Sequence, residues 1–171
     1  MTPGGHGAST HYPVGQRAMI ITVTQHPALV VGRVDSDQLK VRVLGRMHPG
    51  SDDFWDCNWL LSPISAQLGG FVAEIGAGLR VEELQRFRRG LEAIHRQLRG
   101  EATLTSMEQW ISLTVQCRPN GSLSVTGTLA DDLGTGNTLA FRIVGLDQTD
   151  LPAMRDALAS IERAYPVLDR A

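Results

Sequence analysis

Only two cysteines, Cys57 and Cys117, occur among 171 residues, and each sits in an apolar, strand-like run. That excludes a disulfide framework. A chain of this length buries about 70% of its unfolded surface, so it needs neither disulfide nor metal to stay folded. Long hydrophobic runs are missing too. No stretch approaches the roughly 18 apolar residues of a membrane span. No charged start followed by an apolar segment marks a signal peptide near Met1. The expected compartment is the cytoplasm, with both thiols reduced. A basic excess is also absent, the formal charge being -2, which argues against direct binding of nucleic acid or a membrane surface. No G-x-S-x-G elbow is present. No two histidines have the spacing of helical metal ligands: His26 and His48 each precede a proline, and His6 and His11 lie among turn residues near the start. The expectation is no catalytic triad, no metal and no cofactor.

What is present is organised around Arg80 to Arg99. Val81, Leu84, Phe87, Leu91, Ile94 and Leu98 recur at steps of three and four, which puts them on one stripe of a helix spanning about 80–99. Glu82 and Glu83 in the first turn, and Arg96 and Arg99 in the last, oppose the helix dipole favourably. Gly100 is placed to close the helix in a left-handed conformation. From Arg80 to Gly100 six arginines face three glutamates, whereas from Glu101 to Ala171 five arginines face nine acids. The helix face is thus locally basic and the C-terminal third locally acidic.

Either side of this helix the pattern has period two. Residues 1–18 show no periodicity and read as a flexible leader to a single domain over 19–171. Met19–Thr24, Leu29–Val34 and Leu39–Leu44 read as strands joined by turns, and the loop Met47–Asp53 follows them. Phe54–Leu68 reads as one strand with Trp55, Cys57, Trp59 and Leu61 on one face and Leu60 and Ile64 on the other, which suggests cover on both sides. Trp59 is expected in the core against Phe87. Gly69-Gly70 is a turn, after which Phe71, Ala73 and Ile75 alternate with Val72 and Glu74. Beyond the helix, Thr103–Thr105 reads as a brief pairing. Ile111, Leu113, Val115 and Cys117 then alternate with polar residues up to Pro119-Asn120-Gly121, a strong hairpin signal. Leu123, Val125 and Leu129 continue the apolar face, the loop Asp131–Asn137 follows, and Leu139, Phe141 and Ile143 make the next strand. A second helix over about 150–165 carries the stripe Leu151, Met154, Leu158, Ile161 and Tyr165, with Thr149 or Asp150 as cap and Pro166 as stop. Strands, helix, strands, helix is an α+β order: an antiparallel, curled sheet with two amphipathic helices on its apolar face.

Two motifs invite chemistry. Gly76-Ala77-Gly78 lies between a strand and a helix, as in phosphate-binding loops, but Val81 stands where a third glycine belongs. The surrounding strands alternate, unlike those of a parallel sheet. A plain strand-to-helix turn is the better reading. The carboxylates Asp52-Asp53, Asp56, Asp131-Asp132, Asp147 and Asp150 all fall in or beside loops. They suit turns and caps, an acidic surface for a basic partner, a cation site, or a pair flanking a hydrolytic centre.

The residues Asp56, Asn58, Trp59 and Leu60, in the pattern D-x-N-W-L ahead of a helix ending L-x-G, resemble the immunity proteins of the WapI type. The helix stripe Leu84, Phe87, Leu91 and Leu98 with Gly100 fits the same pattern, as does the last helix with Leu146–Leu151 before it. The resemblance covers about Val41 to Pro166. It implies a non-enzymatic immunity protein that binds and blocks the toxic C-terminal domain of a contact-dependent, tRNA-cleaving toxin, with a protein partner and no cofactor. On that reading the contact residues are expected in the acidic loops, at Asp131, Asp132, Asp52 and Asp53, while Asp56, Asn58, Trp59 and Leu60 serve structure. Two other classes stay open: a small-ligand binding module, and a hydrolase using loop carboxylates.

Overall fold

The computed structural model describes residues 26–134 and 136–169. The expected leader and the strand expected over Met19–Thr24 lie outside them. Eleven strands and three α-helices are described, all the strand pairing is antiparallel, and none of the sheets closes into a barrel. This is the α+β class expected.

The first half is a meander bent along one line. Strand β1 (Ala28–Gly32) pairs with β2 (Gln38–Arg42), which runs on through Val43-Leu44 into β3 (Gly45–Arg46). Strand β4 (Trp59–Leu61) breaks at Ser62-Pro63 and resumes as β5 (Ile64–Leu68). Likewise β6 (Phe71–Ile75) breaks at Gly76-Ala77 and resumes as β7 (Gly78–Arg80). The three breaks stand side by side: Arg42 N–H donates to Pro63 O (3.1 Å), Leu44 N–H to Leu61 O (2.9 Å) and Ser62 N–H to Ala77 O (2.9 Å). The result is one sheet ordered β1-β2-β5-β6 folded over against a smaller one ordered β3-β4-β7. Pro63 supplies no N–H to a ladder, so the strand must interrupt there.

The single strand expected over Phe54–Leu68 is therefore not observed. Phe54–Cys57 forms a one-turn helix, α1, whose N-cap Asp53 accepts through Oδ1 from Trp55 N–H (2.8 Å) and Asp56 N–H (3.0 Å). Locally satisfied backbone outweighed the apparent alternation of Trp55, Cys57 and Trp59. Only the Leu60–Ile64 side of the later strands is core; Trp59 is half-buried and Leu61 exposed on the opposite face.

Helix α2 (Val81–Gln97) buries Val81, Leu84, Phe87, Leu91 and Ile94 against β8 (Gly100–Thr105), which pairs along its whole length with β9 (Ile111–Cys117). Its left-handed closing residue is Leu98 (φ 54°), not Gly100. Leu98 thus turns off the stripe and is 49% exposed. The Asn120-Gly121 hairpin leads to β10 (Ser122–Ala130), and β11 (Thr138–Asp147) completes a four-stranded sheet ordered β11-β10-β9-β8. After a 3₁₀ turn at Gln148–Asp150, helix α3 (Leu151–Ala164) packs on α2 and β1. Asp147 and Asp150 cap this turn, and Asp150 pairs with Arg33 (2.8 Å), tying the β1–β2 turn to the last helix. All three sheets and both long helices contribute to one continuous apolar core. Among the described residues no helix is long and apolar enough to cross a membrane.

Candidate protein-binding surface

The acidic residues singled out in the sequence divide into those that hold backbone and those that face outward. Asp131 closes its own loop. Its carboxylate accepts from the side-chain amide of Asn137 (3.0 Å) and from Asn137 N–H (2.6 Å). These bonds favour the charged form and hold the carboxyl below the usual carboxylate range. Asp53 caps α1. Asp52 and Asp132 are exposed in the same two loops, and Asp132 Oδ1 accepts from Leu133 N–H (2.7 Å).

Between these two loops lie residues the sequence did not point to. Beside the Asp131–Asn137 loop lies an open cleft of about 700 Å³, lined by Asp132 and Leu133 on one side and by Met107, Glu108 and Gln109 of the β8–β9 turn on the other. Met107 and Gln109 also line a second depression of about 410 Å³, whose far wall is Arg80, Glu82 and Arg86 at the start of α2. The Arg80 guanidinium in turn lies 4.4 Å over the ring of Trp55, two residues beyond Asp53. A continuous path Asp52–Trp55–Arg80–Met107–Asp132 thus joins the acidic loops. Met107 is 69% exposed and Trp55 59%.

Glu83 fixes the middle of this path. Its buried carboxylate accepts from Arg80 N–H (2.9 Å) at the helix start and from Met107 N–H (2.7 Å) across the depression. Desolvation pushes its pKa up, against those two hydrogen bonds and the charges of Arg80 and Arg86. Because Glu83 caps the first turn, the G-x-G segment before α2 offers no open helix terminus to a phosphate. Gly78 serves packing instead: a Cβ there would stand 2.9 Å from Met47 Sδ and 3.4 Å from Trp59 Cε3, so both side chains lean across it.

The motif residues have separate duties. Asn58 is fully buried; its amide donates to Phe54 O (2.8 Å) and Leu168 O (3.0 Å), and its Oδ1 accepts from Leu168 N–H (2.8 Å). It pins the C-terminal segment to α1, helped by Arg46, which donates to Cys57 O (2.7 Å) and Pro166 O (2.5 Å). Leu60 is core, opposite Leu79. Trp59 is not in the core cluster beside Phe87; it sits on the outer face of β4, level with Met47 and Arg80. Asp56 is exposed on α1. Cys57 and Cys117 are free, buried thiols. Among the described residues no three His, Cys, Asp or Glu side chains gather as a metal site.

No curated protein matches this chain. The family model for WapI-like immunity proteins matches residues 31–166, a span that contains the bent meander from Val31 on, both long helices and the β11-β10-β9-β8 sheet. Covering most of the chain, that match shows that the protein belongs to the WapI-like immunity protein family.

Proposed function

We propose that this immunity protein works without catalysis, by covering the active groove of a toxin's C-terminal domain of the tRNA-cleaving type inside the cell that makes both. The observation that supports this reading is the run of neighbours between the two acidic loops: Asp53 caps the turn that carries exposed Trp55, Arg80 lies over that ring and lines a depression with exposed Met107, and Met107 lines a cleft with Asp132. A nuclease must be basic where it grips phosphates. Carboxylates in these loops would steer association and then occupy that groove. The 700 Å³ cleft is open and lined by Ser, Thr, Gly and acidic side chains as much as by apolar ones, which suits a protein surface better than the apolar enclosure of a small ligand.

The test is a binding titration with the catalytically inactivated C-terminal domain of any tRNA-cleaving toxin whose reading frame adjoins that of this chain. Asp52→Lys with Asp132→Lys is the pair tested, with thermal melting of the free variant to show that both loops keep their structure. Association should slow about tenfold at low ionic strength, and the difference should shrink with added salt. Arg89→Glu, on the exposed side of α2, should change little. Loss of binding by the Arg89 variant alone would move the interface to the helix face.

A further inference from the structure

The outer face of the small β3-β4-β7 sheet carries an apolar strip that the core does not use. In one row stand Met47, Trp59 and Arg80; in the next, Leu61 is flanked by Gly45 and Gly78, neither of which has a side chain to cover it. Met47 is 41% exposed and Leu61 43%. Trp55 continues the strip from α1, across the Arg80 guanidinium. Its ring is fixed before any partner arrives: Asp53 holds its backbone N–H, Phe54 packs edge-on with ring centroids 5.4 Å apart, and Arg80 lies over its face. Arg80 is itself held by Glu82 (2.9 Å).

We propose that this strip is the energetic anchor of the toxin interface, with Trp55 as the residue inserted into the partner and Met47, Trp59 and Leu61 packed beside it. The inference rests on the toxin-binding reading above and assigns different work to different residues: the acidic loops govern the rate of encounter, the strip governs lifetime. Three features favour a protein as occupant, and the first favours a cationic one. Exposed Asp53 and Asp56 flank Trp55 in the chain, and Glu82 balances Arg80, a charge complement to a basic domain. Tryptophan, methionine and arginine are the residues enriched where binding energy concentrates. A prefixed ring loses little conformational freedom on binding. The strip is also continuous, through Arg80, with the depression that leads to Met107.

The experiment compares the full chain with Trp55→Ala and Leu61→Glu, each titrated against the inactivated toxin domain, with thermal melting and sedimentation of each chain alone. Trp55→Ala should weaken binding about 30-fold or more, mostly through faster dissociation. Leu61→Glu should weaken it at least about tenfold, with melting points and mass of the free chains unchanged. If wild type binds and both variants bind equally, the anchor is wrong and the immunity reading stands. If wild type binds no toxin domain, both fall. A melting-point loss of several degrees in both free variants that disappears when residues 1–25 are deleted would show the strip covered by that segment of the same chain. A wild-type dimer that the variants dissociate would show it covered by a second copy. Either of these results would overturn the assignment.

Discussion

Asn58 offers the sharpest test of how this fold is held. Its side chain is fully buried and makes three short hydrogen bonds to main chain, one to Phe54 O and two to the two sides of Leu168. Asn58→Ala removes all three and leaves Phe54 O and both polar groups of Leu168 to find other partners. A net value of roughly 0.5–1.5 kcal/mol per bond, with about 1–3 kcal/mol for any group left buried and unpaired, gives a loss of about 2–4 kcal/mol. For a chain of this size that lowers the melting point by roughly 4–16 °C, and urea titration reads it directly. A second variant isolates the cause. Removing residues 167–171 deletes the tail that Asn58 holds, so Asn58→Ala in the shortened chain should cost about a third as much, the remainder being the bond to Phe54 O. That coupling is what a double-mutant cycle measures. A loss below about 1 kcal/mol in the full chain, or equal losses in full and shortened chains, would refute the account.

Two further predictions concern the core and the buried carboxylate. Leu60→Ala should cost about 2–5 kcal/mol, because Leu60 is fully buried opposite Leu79; Trp59→Ala, on the outer face, should cost less, and chemical denaturation with the order reversed would put Trp59 back in the core. Burial raises the Glu83 pKa above its ordinary 4.5, so the proton is held more tightly in the folded than in the unfolded chain. The stability this adds is fully present below about pH 4.5 and is lost as the pH rises through the folded-state value. Asp131 and Asp147, both held below their ordinary 3.8, act in the opposite sense and lose their contribution as the pH falls. Wild type should therefore gain on Glu83→Gln as the pH is lowered from 7 towards 4, since the variant cannot titrate there. A stability difference that is flat with pH would contradict the placement of Glu83.

Local rules carried the sequence a long way. Helices α2 and α3, the alternating strands β9 to β11 and the Asn120-Gly121 turn are each specified by residues near one another in the chain, through a 3.6 or a 2.0 period and the backbone freedom of single residues. The α+β class follows from their order. The D-x-N-W-L motif was legible as a family resemblance, and the match over 31–166 agrees with it. The acidic loops could be named, but not the residues that lie between them.

What only the tertiary structure decided is everything that depends on which face meets what. Trp55, Cys57 and Trp59 share a period with a strand, yet Asp53 satisfies two backbone donors locally and turns Phe54–Cys57 into a helix. Trp59 is large and apolar, yet β4 can turn only one face to the core, and Leu60 occupies it. Gly76-Ala77 reads as a turn in the sequence, but the break at Ser62-Pro63 fell inside a segment read as one strand, and the alignment of both with Val43-Leu44 into one bend depends on strand register. Burial of Glu83 between α2 and the β8–β9 turn joins residues 24 apart, and the contact of Asn58 with Leu168 joins residues 110 apart. Periodicity reports how a segment divides into faces. Which of those faces is covered is set by the packing of segments far apart in the chain, and it is that packing which leaves Trp55, Met47 and Leu61 on the outside.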